Sequence, residues 1–175
     1  NISTLPSKNK SEAPTVGENT SFILAQPFLN ETYEELIKAG AKCIHAPFPF
    51  GEEGTTKWLL EITREFNLNE KRMFEVTSSA RTRARDSIKK VSEKLKDKKV
   101  FFFPDSQLEI PLARFLVNEC GMKALEIGSP YINKKILGPD LNLIPNGPVI
   151  SEGQDVDLQI DRCLSLSPDI TVCGL

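Results

Sequence analysis

Three short segments hold the residues best placed for chemistry: 47–53 (PFPFGEE), 104–106 (PDS) and 128–131 (GSPY). Each follows an apolar, strand-like run, and in open parallel sheets ligands bind beyond the carboxyl ends of the strands. Their Pro and Gly content holds the backbone in place, so Phe48, Gly51, Asp105, Ser106, Ser129 and Tyr131 are candidates to line a cleft. The plainer reading of each single segment is a tight turn.

Other chemistry is harder to assemble. His45 is the sole histidine and lies in an apolar run, which predicts a core or packing residue. No GxSxG elbow occurs, and a Ser-His-Asp triad would have only that histidine to draw on. Cys43, Cys120, Cys163 and Cys173 are far apart and form no CxxC pair, so zinc and iron–sulfur spacings are absent. Three of the four follow or sit in apolar segments, as small buried hydrophobes do. Free thiols of this kind suit a reducing compartment. Neither GxGxxG nor GxxxxGK followed by Ser or Thr occurs, so the usual backbone cradle for phosphates is missing. Glu109, three residues after Ser106, reads as the partner in a capping box rather than as an acid catalyst. Asp155, Asp157 and Asp161 suit the positive end of a helix dipole.

The elements that must position these residues alternate between strand and helix. SFILAQ (21–26) reads as a strand, and Asn30 as the N-cap of a short helix with Tyr33, Leu36 and Ile37 on one face. AKCIHA (41–46) reads as a second strand. Thr55 or Thr56 can cap a helix that carries Trp58, Leu59, Ile62 and Phe66. Residues 69–99 contain neither Gly nor Pro. Met73, Val76, Ala80, Ala84, Ile88, Val91 and Leu95 recur there at steps of three and four, which predicts one long helix with a narrow apolar stripe. Its basic run reads as a solvated face, because no aromatics interleave with it.

VFFF (100–103) is a strong strand. Leu108, Leu112, Phe115 and Leu116 follow as a helix face in which Pro111 bends or delays the start, and Gly121 stops it. ALEIG (124–128) is a further strand. Residues 132–149, rich in Pro and Gly, read mostly as loop. Val156, Leu158, Ile160, Cys163 and Leu164 have helix spacing, and a last strand follows Pro168 and Asp169. The pattern is strand–helix–strand–helix before the long helix and β–α–β–α–β after it, the signal for α/β folding with parallel pairing and right-handed crossovers.

Composition narrows the classes further. The chain of 175 residues is 39% hydrophobic and 26% charged, with a net charge of −2. That balance leaves no electrostatic footprint for nucleic acid or anionic lipid. No apolar run approaches the roughly 20 residues that span a bilayer. The chain opens on Asn1 and closes on an apolar run followed by Gly174 and Leu175. A buried strand needs a covering helix, so both ends read as cuts through a larger subunit, and the isolated chain is expected to be poorly soluble or only partly folded.

Five segments carry a specific resemblance: 101–122 (FFFPDSQLEIPLARFLVNECGM), 46–51 (APFPFG), 126–131 (EIGSPY), 151–161 (SEGQDVDLQID) and 167–175 (SPDITVCGL). The opening LPS and PTVG stretches and the QPFL after the first strand add to it. Together they resemble the N subunits of light-independent protochlorophyllide reductases, a family of the nitrogenase-like superfamily. The linker helix at 69–99 resembles it least.

The resemblance implies subunits built from three Rossmann-like domains. Residues 1–67 would be the later part of the middle domain, 68–99 a connecting helix, and 100–175 much of the third domain. It implies a B subunit as partner, in an N2B2 heterotetramer. It also implies an L iron protein that uses ATP, ferredoxin as the electron source, and a [4Fe-4S] cluster between N and B. The reaction implied is reduction of the C17–C18 double bond in ring D of protochlorophyllide, giving chlorophyllide a in chlorophyll biosynthesis. The location implied is the cytoplasm of a phototrophic bacterium or the chloroplast stroma.

None of this chain's four cysteines matches a cluster ligand of that family, whose cysteines would lie upstream, so no catalytic, cofactor or metal residue is carried over. Residues 22–29 contain no Cys where the nitrogenase subunit that binds a metal cofactor has a ligand, which speaks for a tetrapyrrole cavity. Two rivals stand beside this reading. One is another nitrogenase-like subunit, such as chlorophyllide reductase or a cofactor-assembly scaffold. The other is a non-enzymatic two-lobed ligand-binding protein, since fold does not dictate function.

Overall fold

A computed structural model of the chain describes residues 2–7, 9, 11, 13–153 and 155–174. Asn1, Leu175 and Gln154 of the SEGQDVDLQID segment lie outside the described residues. The chain is α/β with two parallel sheets. The first is small: β1 (Ser21–Phe22), α1 (Asn30–Lys38), β2 (Lys42–Cys43) and α2 (Gly51–Glu65). The long helix α3 (Glu70–Leu95) follows. Next come β3 (Lys99–Phe102), α4 (Glu109–Asn118), β4 (Lys123–Ser129), α5 (Lys134–Leu141), β5 (Val149–Glu152), α6 (Val156–Leu166) and β6 (Ile170–Val172). The second sheet has the order β5-β4-β3-β6, parallel throughout.

The expected strands at 21–26 and 41–46 shrink to two residues each, and tertiary partners take backbone groups within the first and just beyond the second. The Trp58 indole N–H donates to the Leu24 carbonyl at 2.9 Å. The Phe48 N–H donates to Asp140 Oδ2 at 2.8 Å. Neither group is left for a ladder.

Helix starts also depart from expectation. Asn30 is the first helical residue of α1 rather than its N-cap, and its side chain bonds elsewhere. Helix α2 begins at Gly51, not beside Thr55 or Thr56, whose hydroxyls turn back to Gly51 O and Glu52. The free N–H of Glu52 is capped from another helix, by Glu119 Oε2 at 2.7 Å. The capping-box carboxylate does appear at α4: Glu109 Oε1 accepts from the N–H groups of Asp105 and Ser106, each at 2.7 Å. Pro111 sits in the first turn of α4, where no N–H is needed.

The long helix forms because Asn69 caps it, accepting from Arg72 N at 3.0 Å, and nothing in it breaks the ladder. Its stripe is only partly turned inward. Met73, Ala84, Ile88 and Leu95 are half-buried, while Val76, Ala80 and Val91 face out. Arg81 takes an inward place instead, bonding Glu52 at 2.7 Å and covering the Phe74 ring.

Two further expectations are corrected. Residues 132–149 hold α5 and the start of β5; Asn133 caps α5 by accepting from Lys135 N, and Pro139 lies inside the helix. Helix α6 turns Gln159 and Cys163 inward, leaving Val156, Leu158, Ile160 and Leu164 exposed. The reason is Glu126, a carboxylate of β4 with no exposure. It draws in Ser151 at 2.8 Å, Gln159 at 3.2 Å, and both Nε and Nη2 of Arg162 at 2.8 Å.

The core is continuous from one sheet to the other. Tyr33 and Phe48 pack with Val100, Phe102, Ile110, Ala113, Ile127, Ile136 and Leu137. His45, expected in the core, is exposed, because the backbone leaves the sheet after Ile44 and turns Ala46 and Phe48 inward instead.

Candidate functional site

Strand order places the site. From β3 the chain moves to β4 and β5 on one side, and then crosses to place β6 on the other side of β3. The point beyond the carboxyl ends of β3 and β6 is therefore a topological switch point, where open α/β sheets leave a crevice. The loop after β3 carries Asp105, Ser106 and Gln107, and the chain after β6 carries Cys173 and Gly174. The two segments touch: a Cβ at Gly174 would overlap the Asp105 carboxylate.

Asp105 is exposed and Ser106 half-buried at this point, and both backbones hang from Glu109. Glu109 is 4% exposed, and its second oxygen has no hydrogen-bond partner among the described residues. Gln107 adopts φ +71°, a left-handed conformation that a Cβ disfavours. Asn30 Nδ2 donates to Gln107 Oε1 at 3.2 Å, and Asn133 Nδ2 donates to Asn30 Oδ1 at 2.9 Å. One chain of amides thus ties α1, the loop after β3 and the start of α5 together. Sequence reading passed over Gln107 and Asn133 and gave Asn30 a capping role; amides carry no spacing signal that would mark them.

Tyr131, half exposed, stands at the end of this chain. Together with Asn30, Asn133, Glu31, Glu34, Glu35 and Lys38 it lines an open cleft of about 340 Å³. Ser129 is fully buried, its hydroxyl donating to Tyr131 O at 3.2 Å, so it shapes the turn from beneath.

Phe48 and Gly51 lie deeper. Phe48 is 1% exposed and belongs to the core. Its loop is held by Arg114 of α4, which has no exposure; Nη2 donates to the carbonyls of Phe48 and Phe50, both at 3.0 Å. Gly51 has φ +69°, and a Cβ there would overlap Glu119 Oε1 and the Phe115 ring. A Cβ on Gly54 would overlap Arg114 and Phe48 O. These positions pack the loop after β2 and the start of α2 against α4.

Electrostatics follow the packing. Burial pushes the Asp140 carboxyl up, against the pull of Arg114 and of the Phe48 N–H. Burial likewise raises Glu119, against the backbone donors of Glu53 and Glu52. Burial also acts on Glu52, but bonds from Arg85, Arg81 and Thr56 outweigh it and hold that carboxyl at about 2.

A second open cleft, of about 320 Å³, is lined by Cys43, Ile44, His45, Glu61, Arg64, Glu65 and Asn67. Among the described residues no group of three or more His, Cys, Asp or Glu side chains could hold a metal ion. Cys43, Cys120, Cys163 and Cys173 are free thiols, two of them buried. These residues do not fit an iron–sulfur cluster. No helix among the described residues is long and apolar enough to cross a membrane.

The model of the family described as nitrogenase component 1 type oxidoreductase matches residues 3–174. The light-independent protochlorophyllide reductase subunit N of Dinoroseobacter shibae is 56% identical over 174 residues, 99% of this chain and 41% of that protein. The subunit of the same name from Prochlorococcus marinus is 45% identical over 175 residues, 100% of this chain and 42% of that protein. The chain thus spans about two fifths of the length of these curated relatives. A solved structure titled Nitrogenase Cp1 at pH 5 matches with a TM-score of 0.60 at 14% identity, over 83% of this chain and 36% of that one. That likeness bears on the fold.

Proposed function

Because the chain belongs to the nitrogenase component 1 type oxidoreductase family, we propose that it serves in subunit N of a light-independent protochlorophyllide reductase. The observation that carries this is identity of 45–57% to subunits of that name across nearly the whole chain. The open cleft lined by Asn30, Tyr131 and Asn133 supports it by supplying a place where a ligand can meet this part of the subunit. The domain reading goes with it: 1–67 from a middle Rossmann-like domain, 68–99 a connecting helix, and 100–175 from a third domain.

The reaction is a two-electron, two-proton addition across the C17–C18 double bond of ring D, which converts protochlorophyllide to chlorophyllide a. Ferredoxin supplies the electrons, and an L iron protein spends ATP to deliver them. A [4Fe-4S] cluster of the complete enzyme, in an N2B2 assembly with a B subunit, would be the carrier; its ligands are not among the residues described here. This chain's part is to shape one wall of the substrate cavity. Asp105, Ser106 and Tyr131, which are exposed or half-buried, are the candidates to face substrate, and Phe48, Gly51 and Ser129 are the candidates to shape the loops that carry them. Such an enzyme works in the cytoplasm of a phototrophic bacterium or in the chloroplast stroma.

A segment swap tests the proposal. Residues 1–175 replace the matching stretch of a relative's N subunit, in a phototroph whose own gene is deleted. Chlorophyllide formed by the cells in darkness is the expected result. A chimaera that assembles as well as the relative's own subunit, yet leaves protochlorophyllide to accumulate, sinks it.

A further inference from the structure

Gln107 combines three properties not found together elsewhere among the described residues. It holds a positive φ of 71° without being glycine. Its side-chain oxygen is tied to Asn30, which Asn133 orients in turn. Its Nε2 has no hydrogen-bond partner among the described residues and is not among their buried unpaired atoms. A side chain in a disfavoured backbone conformation, with one end fixed and its donor left over, is arranged to present that donor. The position is the switch point after β3, where a ligand is expected.

We infer that Gln107 is a ligand-binding residue whose Nε2 donates a hydrogen bond to a neutral carbonyl oxygen on the edge of the substrate. An amide N–H requires an acceptor, which sets the oxygen. The neighbouring cleft sets the charge: Glu31, Glu34 and Glu35 line it, and only Lys38, already paired with Glu35 at 2.6 Å, opposes them. A carboxylate brought to this rim would meet like charge, and a ketone or ester carbonyl would not. Asn30 and Asn133 are positioning residues, since they act through Gln107. The inference rests on the functional reading above and deepens it by naming a contact.

The test uses the complete reductase, with full-length N subunit and all partner subunits, and protochlorophyllide as substrate. Gln107→Gly suits the positive φ and removes the donor; Gln107→Glu keeps the oxygen that Asn30 needs and removes the donor as well. Both variants are expected to raise KM roughly three- to tenfold with kcat held, the size of one lost neutral hydrogen bond. Gln107→Gly should melt at or above the wild-type Tm, which separates binding from folding. If wild type turns over and Gln107→Gly leaves KM unchanged, or lowers Tm in step with activity, the assignment is overturned. If the wild-type enzyme itself leaves protochlorophyllide unreduced, the functional reading falls and the assignment with it.

Discussion

Arg114 of α4 and Asp140 of α5 form an ion pair with no exposure on either side chain, Nε to Oδ1 at 2.7 Å. Each partner also grips the loop after β2, Asp140 through Phe48 N and Arg114 through the carbonyls of Phe48 and Phe50. The first sheet is locked to the second by backbone bonds to buried charge. The remaining nitrogen, Nη1, has among the described residues only Glu53 at 3.7 Å and Glu119 at 4.0 Å, so the network closes on α2 as well.

Removing one member of the pair leaves the other charged and buried. Arg114→Leu is expected to cost about 3–5 kcal/mol in urea unfolding of the complete subunit. Arg114→Leu with Asp140→Leu should recover part of that loss, since no orphan charge remains. A double variant no better than the single one would mean that the backbone contacts, not the ion pair, dominate.

Gly54 offers a contest of signs. Alanine inside a helix gains about 0.5–1 kcal/mol over glycine. A Cβ here would overlap Arg114 Nη2 and Phe48 O, and overpacking costs typically 1–3 kcal/mol. Gly54→Ala should therefore lower Tm. A rise in Tm would show that Arg114 can give way.

Glu52 predicts an acid response. Arg81 and Arg85 hold it at about 2 in the folded chain, below its ordinary value. A depressed carboxyl contributes stability that is complete above the unfolded-state pKa, about 4.3, and is lost as pH falls towards 2. Glu52→Gln should flatten the stability profile between those limits, read by chemical denaturation at stepped pH. Glu119, raised by burial, acts in the opposite direction and should be left in place in that comparison.

Glu126 pins α6 to the sheet through Ser151, Gln159 and Arg162. With Val156, Leu158 and Leu164 each more than half exposed, that helix draws little hold from apolar packing. Glu126→Ala should open it locally, at a cost of about 2–4 kcal/mol. Hydrogen exchange is the measurement: amides of α6 and β5 are expected to lose protection while β3 keeps it. Uniform loss across the sheet would place Glu126 in the global core instead.

What the sequence determined by itself is local. The unbroken run at 69–99 became α3 because helix propensity and the Asn69 cap act within a few residues. The Glu109 carboxylate found the backbone of Ser106 for the same reason. Alternating apolar runs and helical faces were enough for parallel β-α units, and the PDSQLE and PFPFG segments carried the family likeness. Tertiary structure decided what polar groups do once water is excluded. Arg114 reaches a carbonyl 66 positions away, and Gln107 bonds an amide 77 positions away. Glu126, within the strand read at 124–128, is fully buried and takes bonds from Gln159 and Arg162 of α6, whose Val156, Leu158 and Leu164 stay outside. A buried charge must be paired wherever its partner lies in the chain, and that pairing outweighs the periodicity of a single helix.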